Sequence, residues 1–85
     1  MEWTWRVGAL RPGAENIDWT LAGAGADWAH ARADAIRALR RLVAGEGRQE
    51  YRIQVGDVDG IVHPGLSGDG EVDLHGLGDS LPTVR

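Results

Sequence analysis

Apolar and polar residues alternate from Glu2 to Leu10, a pattern typical of a β-strand with one buried face. The apolar side of this strand carries Trp3, Trp5, Val7 and Ala9, and the other side carries Glu2, Thr4, Arg6 and Gly8. A turn cluster containing Pro and Gly occupies residues 11–16, after which Ile17, Trp19 and Leu21 alternate with polar or small residues. The two segments predict a β-hairpin.

An amphipathic helix is predicted from Trp28 to Ala44, because apolar residues recur there at helical spacing. Its apolar stripe consists of Trp28, Ala31, Ala35, Ile36, Leu39, Leu42 and Val43. Asp27 precedes the helix and is suited to cap its N-terminus. Gly45 and Gly47 follow the stripe and are expected to end the helix.

Two further short strands are predicted after the helix. Tyr51, Ile53 and Val55 alternate with polar residues, and a fourth strand begins at Ile61 and stops at Pro64. The order strand, strand, helix, strand, strand predicts an α+β fold of two layers, in which one helix covers one face of an antiparallel sheet. We assign this domain to residues 1–63.

Residues 64–85 differ in composition from the rest of the chain. They contain five Gly, two Pro and four acidic residues against one Arg, and only a segment near residues 71–75 has the pattern of a short strand. We expect a tail that is mobile on its own, or that becomes ordered by adding as a strand to a neighbouring chain.

The four Trp residues are expected to lie in or beside the core. Trp3, Trp5 and Trp19 fall on the apolar side of the two hairpin strands, and Trp28 falls on the helix stripe. The polar face of the sheet is then expected to hold no aromatic side chain, which argues against a stacking platform for single-stranded nucleic acid.

Composition and charge remove several classes of function. The chain has 85 residues, a net charge of −4 and no Cys, so disulfides, thiolate metal sites and a cysteine nucleophile are excluded. The three His are far apart in sequence, and we expect no metal, no cofactor and no enzymatic activity. No segment has the apolar run of a signal peptide or of a membrane span, so we expect a cytoplasmic protein without membrane contact. All nine basic residues are Arg and Phe is absent, which indicates a GC-rich genome, as in a high-GC bacterium or its phage.

One group of basic residues is a candidate binding site. The group consists of Arg37, Arg40, Arg41 and Arg48 on or just after the outer face of the helix. Guanidinium groups pair well with phosphates and with acidic protein surfaces. The alternative is an ordinary solvated helix face on which Asp34 pairs with Arg37.

The leading hypothesis is a small non-catalytic interaction module, an accessory or adaptor protein that works by docking. A homodimer formed through an edge strand or by exchange of the tail is the simplest version. The candidate interface residues are Thr4, Arg6, Thr20, Arg52, Gln54, Val72, Leu74 and Leu77. The alternative is a nucleic-acid-associated accessory protein that binds phosphates through the Arg group.

Overall fold

The computed structural model describes residues 2–84 and has the element order expected from the sequence. The elements are β1 (Trp3–Leu10), β2 (Asp18–Gly25), α1 (Trp28–Glu46), β3 (Glu50–Val55) and β4 (Val58–Val62). The four strands form one antiparallel sheet in the order β2-β1-β3-β4. The predicted α+β fold is therefore confirmed, with the helix on one face of the sheet.

Alternation of side chains explains which face of the sheet is buried. Tyr51, Ile53 and Val55 of β3 are buried, whereas Arg52 and Gln54 between them are only half-buried. The buried side faces α1, which contributes a stripe of apolar residues to the core. This stripe consists of Trp28, Ala31, Ala35, Ala38, Leu39, Leu42 and Val43. Burial of this shared apolar surface is the main force that holds the two layers together.

The ends of α1 are fixed by the residues that the sequence indicates. The carboxylate of Asp27 accepts a hydrogen bond of 2.8 Å from the backbone N–H of His30, as an N-cap does. Gly47 has φ of 80° and its N–H donates to the carbonyl of Val43, which ends the helix. The helix extends to Glu46, two residues beyond the predicted end, so Gly45 lies inside its last turn.

Three Trp residues lie in the layer between sheet and helix, as expected. Trp3 meets Trp28 edge to face, with ring centroids 5.7 Å apart. The indole of Trp5 covers Gly23 of β2, where a side chain would have no room, since a Cβ built there lies 2.6 Å from Cζ2 of Trp5. The Trp5 indole can therefore pack against β2 only because residue 23 is a glycine.

The expectation for the fourth Trp is wrong, because a β-bulge reverses the alternation in β2. Val7 pairs with Leu21, but the next residue, Gly8, pairs with Trp19, so Thr20 is the extra residue. An inserted residue moves everything beyond it to the opposite face. Trp19 consequently lies on the open face of the sheet, away from α1, beside Arg6.

The C-terminal segment packs onto the domain, which corrects the expectation that it lies outside the core. Leu77 and Leu81 are each only 3% exposed and belong to the core cluster. Among the described residues α1 packs against β1, β2 and β3, and the segment packs against the buried face of β4, with Ser80 against Gly60. Arg32 of α1 donates a hydrogen bond of 3.2 Å to the carbonyl of Gly78.

The predicted short strand near residues 71–75 appears only as an isolated antiparallel bridge. This bridge joins Leu66 to Val72 within the segment itself. Val72 and Leu74 are partly buried and pack against the core cluster. The segment therefore turns Val72, Leu74, Leu77 and Leu81 toward its own domain, whereas Leu66 and Val84 are exposed.

Candidate interaction surfaces

The sheet ends in two edge strands of very different character. β4 has five residues, includes Asp59, and has the C-terminal segment packed on its buried face. β2 has eight residues and, within the described part of the chain, pairs only with β1. The outer side of β2 therefore presents unpaired backbone N–H and C=O groups.

The part of β2 beyond the bulge lacks the usual protection of an exposed edge. From Leu21 to Gly25 it contains no charged residue and no Pro, and it pairs with β1 in unbroken register. Leu21 is 40% exposed, and Ala22 and Ala24 are also exposed. Edge strands normally carry Lys, Pro or a covering loop, because an unprotected edge is a template for pairing with another chain.

Two cross-strand rows form the middle of the open face of the sheet, on the side opposite α1. The first row, from β2 to β4, is Ala22, Arg6, Gln54 and Asp59. The second row is Trp19, Gly8, Arg52 and Ile61. The rows place two guanidinium groups and one indole on a single surface, a combination that sequence alternation alone does not predict.

Arg6 is held at the centre of this face by two contacts. Its guanidinium carbon lies 3.9 Å from the ring centroid of Trp19, within the range of a cation–π interaction. Its Nε donates a hydrogen bond of 2.6 Å to Oε1 of Gln54. Trp19 lies on β2 and Gln54 lies on β3, the two strands that flank β1, so the guanidinium is held from both sides.

A groove of about 290 Å³ lies on the open face beside Arg6. The residues around it are Arg6, Trp19, Arg52, Ile53, Gln54, Asp59, Gly60 and Ile61. Trp19 and Ile61, of which Ile61 is 54% exposed, are the large apolar side chains that lie on the open face, whereas the side chain of Ile53 is buried in the core. The groove thus combines apolar walls with polar groups at the middle of the sheet.

A charged cluster involving Glu50 lies at one end of the open face. His63 Nε2 is 3.1 Å from Oε1 of Glu50, and Arg52 donates to Oε2 at 2.7 Å. The hydrogen bond with His63 and the one from Arg52 hold the pKa of Glu50 below its ordinary value. Arg52 therefore already has a carboxylate partner, whereas Arg6 forms none of the ion pairs found within residues 2–84.

The structure places the predicted interface residues in three different locations. Thr4, Arg6, Arg52 and Gln54 share the open face, as the alternation indicates. Thr20 occupies the bulge, where its hydroxyl donates to the carbonyl of Val7 at 3.4 Å. Val72, Leu74 and Leu77 lie in the C-terminal segment. Leu77 is buried in the core of its own domain, so in this structure it is not exposed to a partner.

The four Arg residues of the predicted binding group do not line one common groove. Arg37 and Arg40 flank a shallow depression on α1, whereas Arg48 lies beyond the helix in another depression, beside His63 and Pro64. Arg41 is exposed on α1. Arg37 donates to Asp34 at 2.9 Å, the pairing expected for an ordinary helix face.

Each His residue lies beside a different carboxylate, and the three pairs lie in different parts of the domain. The three pairs are His30 with Asp27, His63 with Glu50 and His75 with Asp73. In the part of the chain that the structure describes, no group of three metal-ligating side chains is close enough to hold an ion. The neighbouring carboxylates show only local pairing, in which His30 and His75 lower the pKa values of Asp27 and Asp73.

Sequence reasoning missed Trp19 as a surface residue, although one signal for it was present. A Gly in the interior of a strand often marks a bulge or a close backbone approach, and Gly8 is such a residue. A Cβ at Gly8 would overlap the carbonyl of Asp18, so only Gly permits this bulge. The interior Gly therefore signalled the reversed alternation that brings Trp19 to the open face.

Comparison with protein-family models, curated proteins and solved structures finds no match to this chain. Within residues 2–84 no helix combines the length and the hydropathy that crossing a lipid bilayer requires. Function is therefore inferred from the two surfaces described above, the outer edge of β2 and the open face of the sheet.

Proposed function

We propose that this protein is a non-catalytic interaction module that associates with a second copy of itself through the outer edge of β2. The observation that carries the proposal is the uncharged and unprotected run from Leu21 to Gly25. Pairing this edge with another strand satisfies its outer N–H and C=O groups without moving any element of the domain. A second copy supplies a matching edge of the same length and polarity.

The geometry of a sheet restricts how two copies can pair. Antiparallel pairing of β2 with itself places a two-fold axis perpendicular to the sheet, with both helices on the same side. Residues directly opposite each other lie on the same face, so the axis lies midway between the two copies of one residue and not at the level between two successive residues. The bulge-free run is centred on Gly23, which places Ala22 of one copy opposite Ala24 of the other.

This arrangement predicts a weak and reversible dimer. Five paired residues and their flanking side chains bury less surface than the roughly 800 Å² per partner of a standard interface. We therefore expect a dissociation constant in the micromolar range, on the order of 1–100 μM. Small side chains at Ala22, Gly23 and Ala24 allow the second backbone to approach without steric conflict.

Sedimentation velocity over a range of concentrations tests the proposal. The wild-type chain should pass from its monomer mass of 9.2 kDa to twice that mass as the concentration rises. Ala24→Lys places a charge on the exposed edge and should raise the protein concentration at which half of the chains are dimeric by at least about tenfold. Ile61→Lys is the matched control, because Ile61 is exposed on the same face but on the other edge strand. Equal midpoints for the two variants, or a wild-type chain that stays monomeric at about 1 mM, would contradict the proposal.

Nucleic-acid binding through the predicted Arg group has less support. Arg37 and Arg40 lie in one depression and Arg48 in another, so no single surface collects their charges. If the protein bound nucleic acid through this group, its affinity for nucleic acid would fall steeply as the salt concentration rises. The affinity would also be lower in an Arg40→Ala/Arg41→Ala variant.

A further inference from the structure

Arg6 is an arginine fixed in position with its terminal nitrogens uncommitted. Nε is occupied by Gln54 at 2.6 Å and one face of the guanidinium is covered by Trp19. In the described part of the chain, no hydrogen bond or ion pair engages its two Nη groups. By contrast, Arg11 and Arg52 bind carboxylates of their own chain.

From this geometry we propose that the groove between Trp19 and Ile61 binds a carboxylate carried on a small apolar body. The two Nη groups of Arg6 match the two oxygens of a planar carboxylate, as in other fork-like arginine pairs. Because the guanidinium is already held in position, its side chain loses less conformational entropy when a ligand binds. Gln54 accepts from Arg6 through Oε1, which leaves its Nε2 as a further donor beside the same site.

Volume and charge select the class of ligand. A groove of about 290 Å³ accommodates a molecule of fragment size, and Trp19 and Ile61 give it apolar walls. Asp59 lies in the same row as Arg6 and Gln54, so a second negative charge on the ligand is opposed. A monoanionic carboxylate fits these conditions better than a phosphate, which carries close to two charges at neutral pH.

The site does not depend on self-association. The groups that would contact the ligand lie on β1, β3 and β4 and at the bulged end of β2, outside the run from Leu21 to Gly25. A variant with a blocked edge, such as Ala24→Lys, is therefore expected to keep the ligand site. Failure of one proposal is consequently distinguishable from failure of the other.

The test is an NMR titration of the 15N-labelled protein with phenylacetate. The indole N–H signal of Trp19, assigned by its loss in Trp19→Phe, should shift in a saturable way with a dissociation constant on the order of 1 mM. Arg6→Met should weaken binding by about tenfold or more, since a hydrogen-bonded charge is lost. Arg41→Met is the matched control, because it removes an exposed arginine on α1 outside the groove, and it should leave the affinity unchanged.

Further arms of the titration separate the sources of the carboxylate. The peptide acetyl-Gly-Gly-Phe with a free C-terminus binding more tightly than phenylacetate would assign the site to a chain terminus, and the reverse order would assign it to a free small molecule. The amidated peptide and 2-phenylethanol should each bind at least about tenfold more weakly than their acids. Arg6→Lys keeps the charge but not the fork, and provides an intermediate affinity if Arg6→Met does not fold. Absence of saturation, or equal affinity for acid and alcohol, would overturn the proposal.

Discussion

Replacing Leu81 with alanine removes three carbon atoms from a side chain that is 97% buried by its own domain, and the same holds for Leu77. At about 0.8 kcal/mol for each buried carbon group, the lost transfer free energy is about 2.4 kcal/mol. The cavity left behind adds to this cost, and measured Leu→Ala changes in cores reach about 3–5 kcal/mol. A domain of this size has a total stability of about 4–13 kcal/mol, so either variant removes a large part of it.

The assay is urea unfolding followed by Trp fluorescence, at one fixed protein concentration because self-association adds to apparent stability. Leu81→Ala and Leu77→Ala should each lower the free energy of unfolding by about 2.5–4 kcal/mol. Leu66→Ala is the matched control from the same segment, since Leu66 is 53% exposed. It should change the stability by no more than about 0.5 kcal/mol. Three equal and small effects would refute the conclusion that the segment is part of the core.

Three other substitutions give outcomes of known sign. Gly23→Ala places a methyl group against Trp5 and should lower the free energy of unfolding by about 1–3 kcal/mol. Gly45→Ala lies in the last turn of α1, where no other atom is close to the new methyl group, and should raise the free energy of unfolding by up to about 1 kcal/mol. Urea unfolding measures both changes. Arg11 bonds Glu46 and lowers its pKa, so this pair stabilises the fold above the ordinary carboxylate range and loses its effect as the pH falls through the lowered pKa. Arg11→Met should therefore raise the pKa of Glu46, which carboxyl 13C NMR measures. The variant should be less stable than wild type at neutral pH, and this difference should shrink below about pH 5, which urea unfolding at two pH values measures.

Much of the fold follows from periodicity, because β1, β3 and the helix bury one side of a regular pattern. The alternation of Tyr51, Ile53 and Val55 and the helical stripe of α1 needed no information beyond their own segments. Caps are equally local, and Asp27 was therefore predicted as the N-cap. Boundaries and partners that depend on distant segments were harder to predict.

Two features depended on contacts that a local pattern does not contain. The side on which Trp19 lies depends on a one-residue bulge, and its position is set by how β2 meets Gly8 of β1. The burial of Leu77 and Leu81 depends on the part of the sheet that α1 leaves uncovered, which is known only once the helix is placed. The candidate ligand site was missed for the first reason, since without Trp19 the open face showed only scattered polar residues.

The most direct test of self-association uses the absence of Cys from the chain. An equimolar mixture of the single variants Ala22→Cys and Ala24→Cys is oxidised gently, and the disulfide-linked dimer is measured over time. Residues opposite each other in an antiparallel pair have Cα atoms about 4.5–5.5 Å apart, which suits a disulfide. The proposed pairing predicts rapid formation of the mixed dimer, much faster than the dimer of Ala33→Cys on the exposed side of α1. Equal rates for the mixture and for Ala33→Cys would contradict pairing through β2.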